Sequence, residues 1–541
     1  MLYLSQTGKL QWSIPMNKFL ILSLMLAMFL NSALASTFER IDYIDKTLPV
    51  NQILFRHWQQ HKIDPPAAVS DALFLRRAAL TLMGRLPKAE EVRSFIADSN
   101  RDKRTCWVEK FLNAPEYADM QAMRFADMLR IKSEFPINLW PNAVQFYHRS
   151  VRSDLLRDRS LKEMFYEMLT VSGSNFRTAY ANFFRASADR SPTGLAKMVL
   201  LTTMNMRETA FSEDELKKFA LLFSAIRYKS TYEWKEEIVY QAVEPVEFEA
   251  MLPDGTTVDV NTAEVDPRKI FADWLLNDKN DYFARAVTNR VWFWVFGRGI
   301  YPNADDLPLY QSKWDRFWGR DPGSNVPFSE ELQNYLIREF KQNNYSLRHL
   351  YKIILNSACF HASALRQEEE LLQHFAAYPV RRMESELVID ALSSITRGFD
   401  RYMSVIPEPF TFLPWNTRTI TIADGSISSS VLDNFGRPPR DSGQFGERNT
   451  ASTDSQGLYL MNSTALYRRI GNYCRILQRN HRSDQERLER IYLDILSRYP
   501  SSQERQAFQK YQRSLEPKAR YLVWSDTVWV LLNSKEFLFY H

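Results

Sequence analysis

Three arginines lie close together in a polar stretch of this chain: Phe435-Gly436-Arg437-Pro438-Pro439-Arg440 carries two and Gly446-Glu447-Arg448 the third. A guanidinium presents its N–H donors as a planar fork that matches the oxygens of a carboxylate, sulfate or phosphate. Arg437, Arg440 and Arg448 are therefore candidate ligand-binding residues, and an acidic or sulfated glycan is the ligand chemistry they suit. Asp441 and Glu447 stand among them. These two acids are candidates for proton transfer in a hydrolase acting on a polysaccharide or its ester, and equally for neutralising the arginines in a structural network. From Asp424 to Gly457 the helical patterning stops, and irregular stretches of this length inside a compact domain are either functional or disordered. The two prolines, each with a fixed φ, favour a shaped loop.

A second group sits on the segment Tyr282–Phe296, which is apolar nearly all round and reads as a central buried helix. Arg290 falls on its apolar stripe, seven residues after Phe283 and four before Trp294. A buried guanidinium needs a carboxylate or several carbonyls, so Arg290 is expected either in a structural pair or, with Asn289 beside it, at an anion-binding cleft. His57 and His61 have the spacing that puts two imidazoles on one helical face. The intervening Trp58-Gln59-Gln60 lacks the glutamate of a metalloprotease motif, and no third ligand stands at a defined spacing. A solvated helix face and no metal site are expected there; His148, His349 and His361 are scattered. The chain contains no Gly-x-Ser-x-Gly elbow, phosphate loop, dinucleotide fingerprint or Cys-x-x-Cys.

The elements that must position these residues read as mainly α, in two helical bundles. Ser70 is placed to cap a helix that Gly84 ends. Helices follow at about 89–98, 101–113, 116–131, 142–157, 161–171, 193–204 and 213–228, with short connections. Alternation in Ile238-Val239-Tyr240 and in Val246–Met251, with a Pro253-Asp254-Gly255 turn into Thr256–Val260, predicts a β-hairpin element. Helices resume at 267–276, 282–296, 330–342, 347–357 and 384–397, and after the long irregular loop at 464–477, 484–496, 503–515 and 519–533. The expected domains are residues 36–235, a hairpin connector 236–262, and residues 263–541.

Residues 1–35 read as a signal peptide with its true start at Met16: Asn17-Lys18, the apolar run Phe19–Leu30, then Ala33-Leu34-Ala35 as cleavage site. The run is short for a membrane span, which needs ~20 residues. An exported protein, periplasmic or at the cell surface, with no transmembrane segment after cleavage is expected. The chain carries 69 basic and 64 acidic residues; the leader removes Lys9 and Lys18 and no acids, leaving a near-neutral protein without a basic run. That excludes generic nucleic-acid binding. Three cysteines permit at most one internal disulfide, so burial must supply the stability.

Several separated motifs carry a family resemblance. Phe74-Leu75-Arg76-Arg77-Ala78-Ala79-Leu80-Thr81-Leu82-Met83-Gly84-Arg85-Leu86-Pro87, continuing to Glu90-Glu91-Val92, resembles the opening of the bacterial domain of unknown function 1549, found in planctomycete-type proteins beside cytochrome-c-like modules. Phe283–Trp292 with Phe296-Gly297-Arg298-Gly299, then Phe435–Arg440 and Leu531–Leu538, resemble its companion, domain of unknown function 1553. The resemblance implies an exported protein encoded near a secreted sulfatase- or phosphatase-like partner, of unsettled activity. Its expected role is a binding or assembly factor in extracytoplasmic polysaccharide handling, the alternatives being a hydrolase or a degenerate structural subunit.

Relatives carry a Cys-x-x-Cys-His run where this chain has Leu201-Thr202-Thr203-Met204-Asn205, and Cys-x-Cys-Glu-Arg where it has Gln444-Phe445-Gly446-Glu447-Arg448. The resemblance therefore implies no haem and no metal cofactor here. It also suggests that the two segments meet in space.

Overall fold

The computed structural model describes residues 44–242, 244–310, 325–407 and 411–541; the expected leader lies outside them. The fold is mainly α, with only short strands. Ser70 caps Asp71–Met83 by accepting the Leu73 N–H, and Gly84 ends that helix in the left-handed region at φ 59°. The next helices are Ala89–Ala97, Lys103–Leu112, Pro115–Met128, Pro141–Leu156, Leu161–Thr170 and Pro192–Met204, within a few residues of their sequence patterns. Three of them begin with proline, whose missing N–H costs nothing in a first turn.

One element differs in kind. The helix expected through Tyr228 stops at Ala220, and Ile226–Ser230 is a strand. It pairs antiparallel with Glu237–Gln241, whose other edge takes Gly173–Ser174. The Ile226-Arg227-Tyr228 run favours a pleated surface, and a ladder partner overrides its helical periodicity. Beyond it, Glu247–Met251 and Thr257–Asn261 form the expected hairpin, in the register Glu247↔Asn261.

The Tyr282–Phe296 helix is central, buried on every side but that of Phe293 and Trp294, and it ends at Gly297 in the left-handed region. It packs on Pro192–Met204 from the first helical region and on Glu330–Gln342 from the second. A continuous apolar core runs from Val50 to Tyr540 through both regions. Arginines lock the regions together: Arg76 donates to the carbonyls of Ile495 (2.9 Å) and Phe537 (2.8 Å), and Arg77 to those of Phe360 (2.8 Å) and Ala362 (2.7 Å). Arg381–Arg382 pairs antiparallel with Phe539–Tyr540, tying the middle of the chain to its far end. Cys106, Cys359 and Cys474 are all free thiols, the last two buried.

Candidate functional site

The stretch from Asp424 to Gly457 folds as a shaped loop, interrupted by the short helices Ser430–Asn434 and Asp454–Asn462. Its entry is fixed by Asp424, whose Oδ1 accepts the N–H groups of Ser133 (3.0 Å) and Ser426 (2.9 Å), and by the Gly425 N–H, which donates to the Ile131 carbonyl. Its arginines do not form an open rim. Arg440 is fully buried and donates through Nε to Asp127 (2.8 Å) and through Nη1 to the Ala423 carbonyl (2.7 Å). Arg448 bridges Asp127 and Glu386, with 2.6 Å to each carboxylate. Arg437 is buried too, and donates to the carbonyls of Ile427 and Asp424 with its Nε 3.7 Å from Glu386.

The carboxylates that neutralise these arginines are therefore Asp127, on the Pro115–Met128 helix, and Glu386, on the Ser385–Thr396 helix. Burial would raise the Glu386 carboxyl, but the Arg448 and Arg437 charges outweigh it and hold the group down at about 2. Arg437 is pushed down to about 10 by burial and by its neighbour Arg440.

This corrects the reading of Arg437, Arg440 and Arg448 as open ligand donors, because a desolvated guanidinium is stable only when its donors are taken internally. Asp441 and Glu447 are engaged elsewhere. Asp441 pairs with Lys132 at 2.6 Å, and Glu447 Oε1 accepts the Ser442 N–H.

Arg290 and Asn289 lie beneath the same loop. Arg290 is buried, donates to Asn205 Oδ1 and to the Leu201 carbonyl (3.3 Å), and faces the Phe445 ring at 4.8 Å. Asn289 accepts the Tyr301 N–H at 3.1 Å. Asp305 joins the group by accepting the Phe445 N–H at 2.9 Å, and burial raises its carboxyl against the opposing charge of Arg290. The cavity beside Arg290, lined by Phe125, Met128, Thr202 and Trp294, measures about 10 Å³ and has room for no more than a water molecule. Arg290 thus takes the structural role rather than that of a cleft.

A different constellation was not legible from spacing. His57, in the last turn of Pro49–Gln60, is buried, and its Nε2 lies 2.9 Å from Nδ1 of His374, 317 residues further on. His61 stands against both, with ring centroids 4.3 Å from His57 and 4.5 Å from His374. One ligand atom from each of the three histidines falls within a 4.8 Å span. The expected solvated face is corrected for His57, which packs edge-on against Phe328. Burial, with the neighbouring imidazoles, lowers His57 to about 4. His374 follows a short helix, Glu369–Gln373, whose sequence carries no metal-motif spacing.

Residues 49–216 match the family model described as a protein of unknown function, DUF1549, and residues 267–512 match that of DUF1553. The chain belongs to the family that joins these two domains. No curated protein and no solved structure matches it.

In this DUF1549–DUF1553 protein the buried charge network is a joint between the halves, since Asp127 belongs to DUF1549 and Glu386 and the arginine loop to DUF1553. The two segments at which the resemblance implies cysteines in relatives also come together. Arg130 donates to Thr202 Oγ1 (3.0 Å) and to the Ser442 carbonyl (3.5 Å), while Arg290 contacts both Asn205 and Phe445. Guanidinium groups and an aromatic ring occupy that meeting place in this chain.

Proposed function

We propose that this protein is a binding or assembly factor acting outside the cytoplasmic membrane in polysaccharide handling, and that it holds a secreted partner enzyme. The observation that carries this reading is that four large apolar side chains within thirteen residues of sequence, Met403, Val405, Phe412 and Trp415, are each between 65% and 86% exposed. Large apolar side chains left open to solvent so near one another in sequence favour protein–protein contact, and a mixture of aliphatic and aromatic groups suits a protein better than a sugar ring.

The segment is anchored near both of its ends. Met403 exchanges backbone hydrogen bonds with Ser428 in the arginine loop, at 2.9 and 3.1 Å. Just after it, the N–H groups of Thr419 (2.6 Å) and Ile420 (3.2 Å) donate to the buried Asp390. Burial raises the Asp390 carboxyl to about 6 against the pull of Arg418 and these donors, and its hydrogen bonds point into the protein rather than to a pocket. The buried network thus serves to position a surface segment.

The test is co-purification from the native envelope fraction with the wild type and with Phe412→Ser plus Trp415→Ser. The wild type is expected to retain a sulfatase- or phosphatase-like protein that the double variant loses, at equal helicity and equal urea midpoint. Equal recovery by both would remove the motive for the reading.

A further inference from the structure

The three histidines form a cluster that the charge network does not use. His57 and His61 come from the start of DUF1549 and His374 from the middle of DUF1553. We infer that His57, His61 and His374 form a binding site for a divalent metal ion of the zinc class, with imidazole nitrogens as its three protein ligands and a solvent-facing fourth position.

The chemistry of the donor set supports this. Three imidazoles without a carboxylate or thiolate suit borderline ions such as Zn²⁺, Co²⁺ or Cu²⁺ rather than Mg²⁺ or Ca²⁺, and three protein ligands with one open position are the usual arrangement of a non-structural zinc site. The geometry supports it as well. Nitrogens about 2.0–2.1 Å from a tetrahedral ion stand roughly 3.3 Å apart. The observed His57 Nε2 to His374 Nδ1 separation of 2.9 Å needs only a small opening, and the whole set spans 4.8 Å.

The surroundings fix the ligating atoms. His61 Nδ1 lies 2.8 Å from the His57 carbonyl; as a donor there it keeps its proton and leaves Nε2 for the ion. The Trp58 indole N–H donates to the His374 carbonyl at 2.8 Å, which pins that ligand's backbone to the helix bearing the other two. His57 is buried and His61 exposed, so an ion has a packed floor and a route in from solvent. A single His–His hydrogen bond would account for His57 and His374 alone; it gives no reason for His61 to converge on the same point.

The experiment uses the full mature chain without a histidine tag, stripped with a chelator and titrated with Co²⁺ and then Zn²⁺. One equivalent of Co²⁺ is expected to give the intense visible bands of a tetrahedral or five-coordinate site, to be displaced by Zn²⁺, and to raise the melting temperature. His61→Ala and His374→Ala alter exposed and half-buried groups and are expected to fold; each should weaken Co²⁺ binding by about tenfold or more, the lower end of what even outer-shell changes do at such sites. Octahedral-type weak absorption, binding only at millimolar metal, or Co²⁺ affinity unchanged in both variants would each overturn the assignment.

Discussion

At the scale of single residues, Arg448 is the most heavily used side chain of the loop, because one guanidinium serves two carboxylates from two helices. Removing it leaves Asp127 short of one partner and Glu386 buried with the Ser385 hydroxyl and, as its nearest opposite charge, the more distant Arg437. Arg448→Ala is expected to cost about 3–5 kcal/mol in urea unfolding, as for other broken buried pairs, and Arg448→Lys to recover only part of it, since an ammonium cannot fork to both acids.

Acid sensitivity follows from several groups, His148 and Glu386 among them, with the lowered His57 adding to the loss below its usual range. His148 is buried, and burial with the nearby Arg440 and Arg152 charges lowers it to about 3. The unfolded chain therefore binds this proton below pH 6.5 while the native state does not, so stability falls as pH drops from about 6.5 to about 3, at up to about 1.4 kcal/mol per pH unit. Glu386 adds a second loss below pH 4.5, where the unfolded carboxyl takes a proton that the native one refuses. His148→Gln should reduce the slope of the upper part of that profile, where His57 also contributes, and leave the lower part in place, read from urea midpoints across the range.

The arginines were legible in the sequence as a group, but their partners were not. Asp127 lies more than 300 residues from Arg440 and Arg448, and nothing in one sequence distinguishes it from the other acids.

At the scale of elements, helices were legible where an apolar stripe and a cap agreed, as in Ser70 to Gly84. Ser70→Ala is expected to cost about 1 kcal/mol through loss of the cap. Ile226–Ser230 was misread because a strand of five residues next to a helix carries too little alternation to announce itself, and its pairing with Glu237–Gln241 is a property of the fold. The arginine loop gave its presence but not its direction: prolines and glycines signal a fixed course without saying which side faces inward. Gly436 is one point where that course is forced. It has φ 78°, and a Cβ there would lie 2.1 Å from the Asn449 carbonyl oxygen. Gly436→Ala should therefore destabilise the protein by at least about 1–2 kcal/mol, the cost of left-handed backbone alone. Faster proteolysis within residues 436–449 would locate the damage.

At the scale of the whole molecule, the order of the two family domains could be read from the sequence, whereas their intimacy could not. Patterning marks buried faces but not which face meets which, and so Arg76 and Arg77, on a helix of the first region, gave no hint that they bond to segments hundreds of residues away. With one continuous core, calorimetry should show a single unfolding transition rather than one for each domain. A fragment ending at residue 262 should lack cooperative unfolding, because its buried guanidinium groups lose the carbonyls they serve.

The pairing of Arg381–Arg382 with Phe539–Tyr540 bears on the order of events at the ribosome. That ladder cannot close until Phe539–Tyr540 has been synthesised, well after its partner strand, and the helix carrying Arg76 waits on the same late segment for one of its acceptors. Until then the nascent chain has only part of its interior and exposes apolar surface that the closed fold buries. For the exported protein proposed above, late closure would keep the chain competent for translocation, and the same delay would make it dependent on holding chaperones before it crosses.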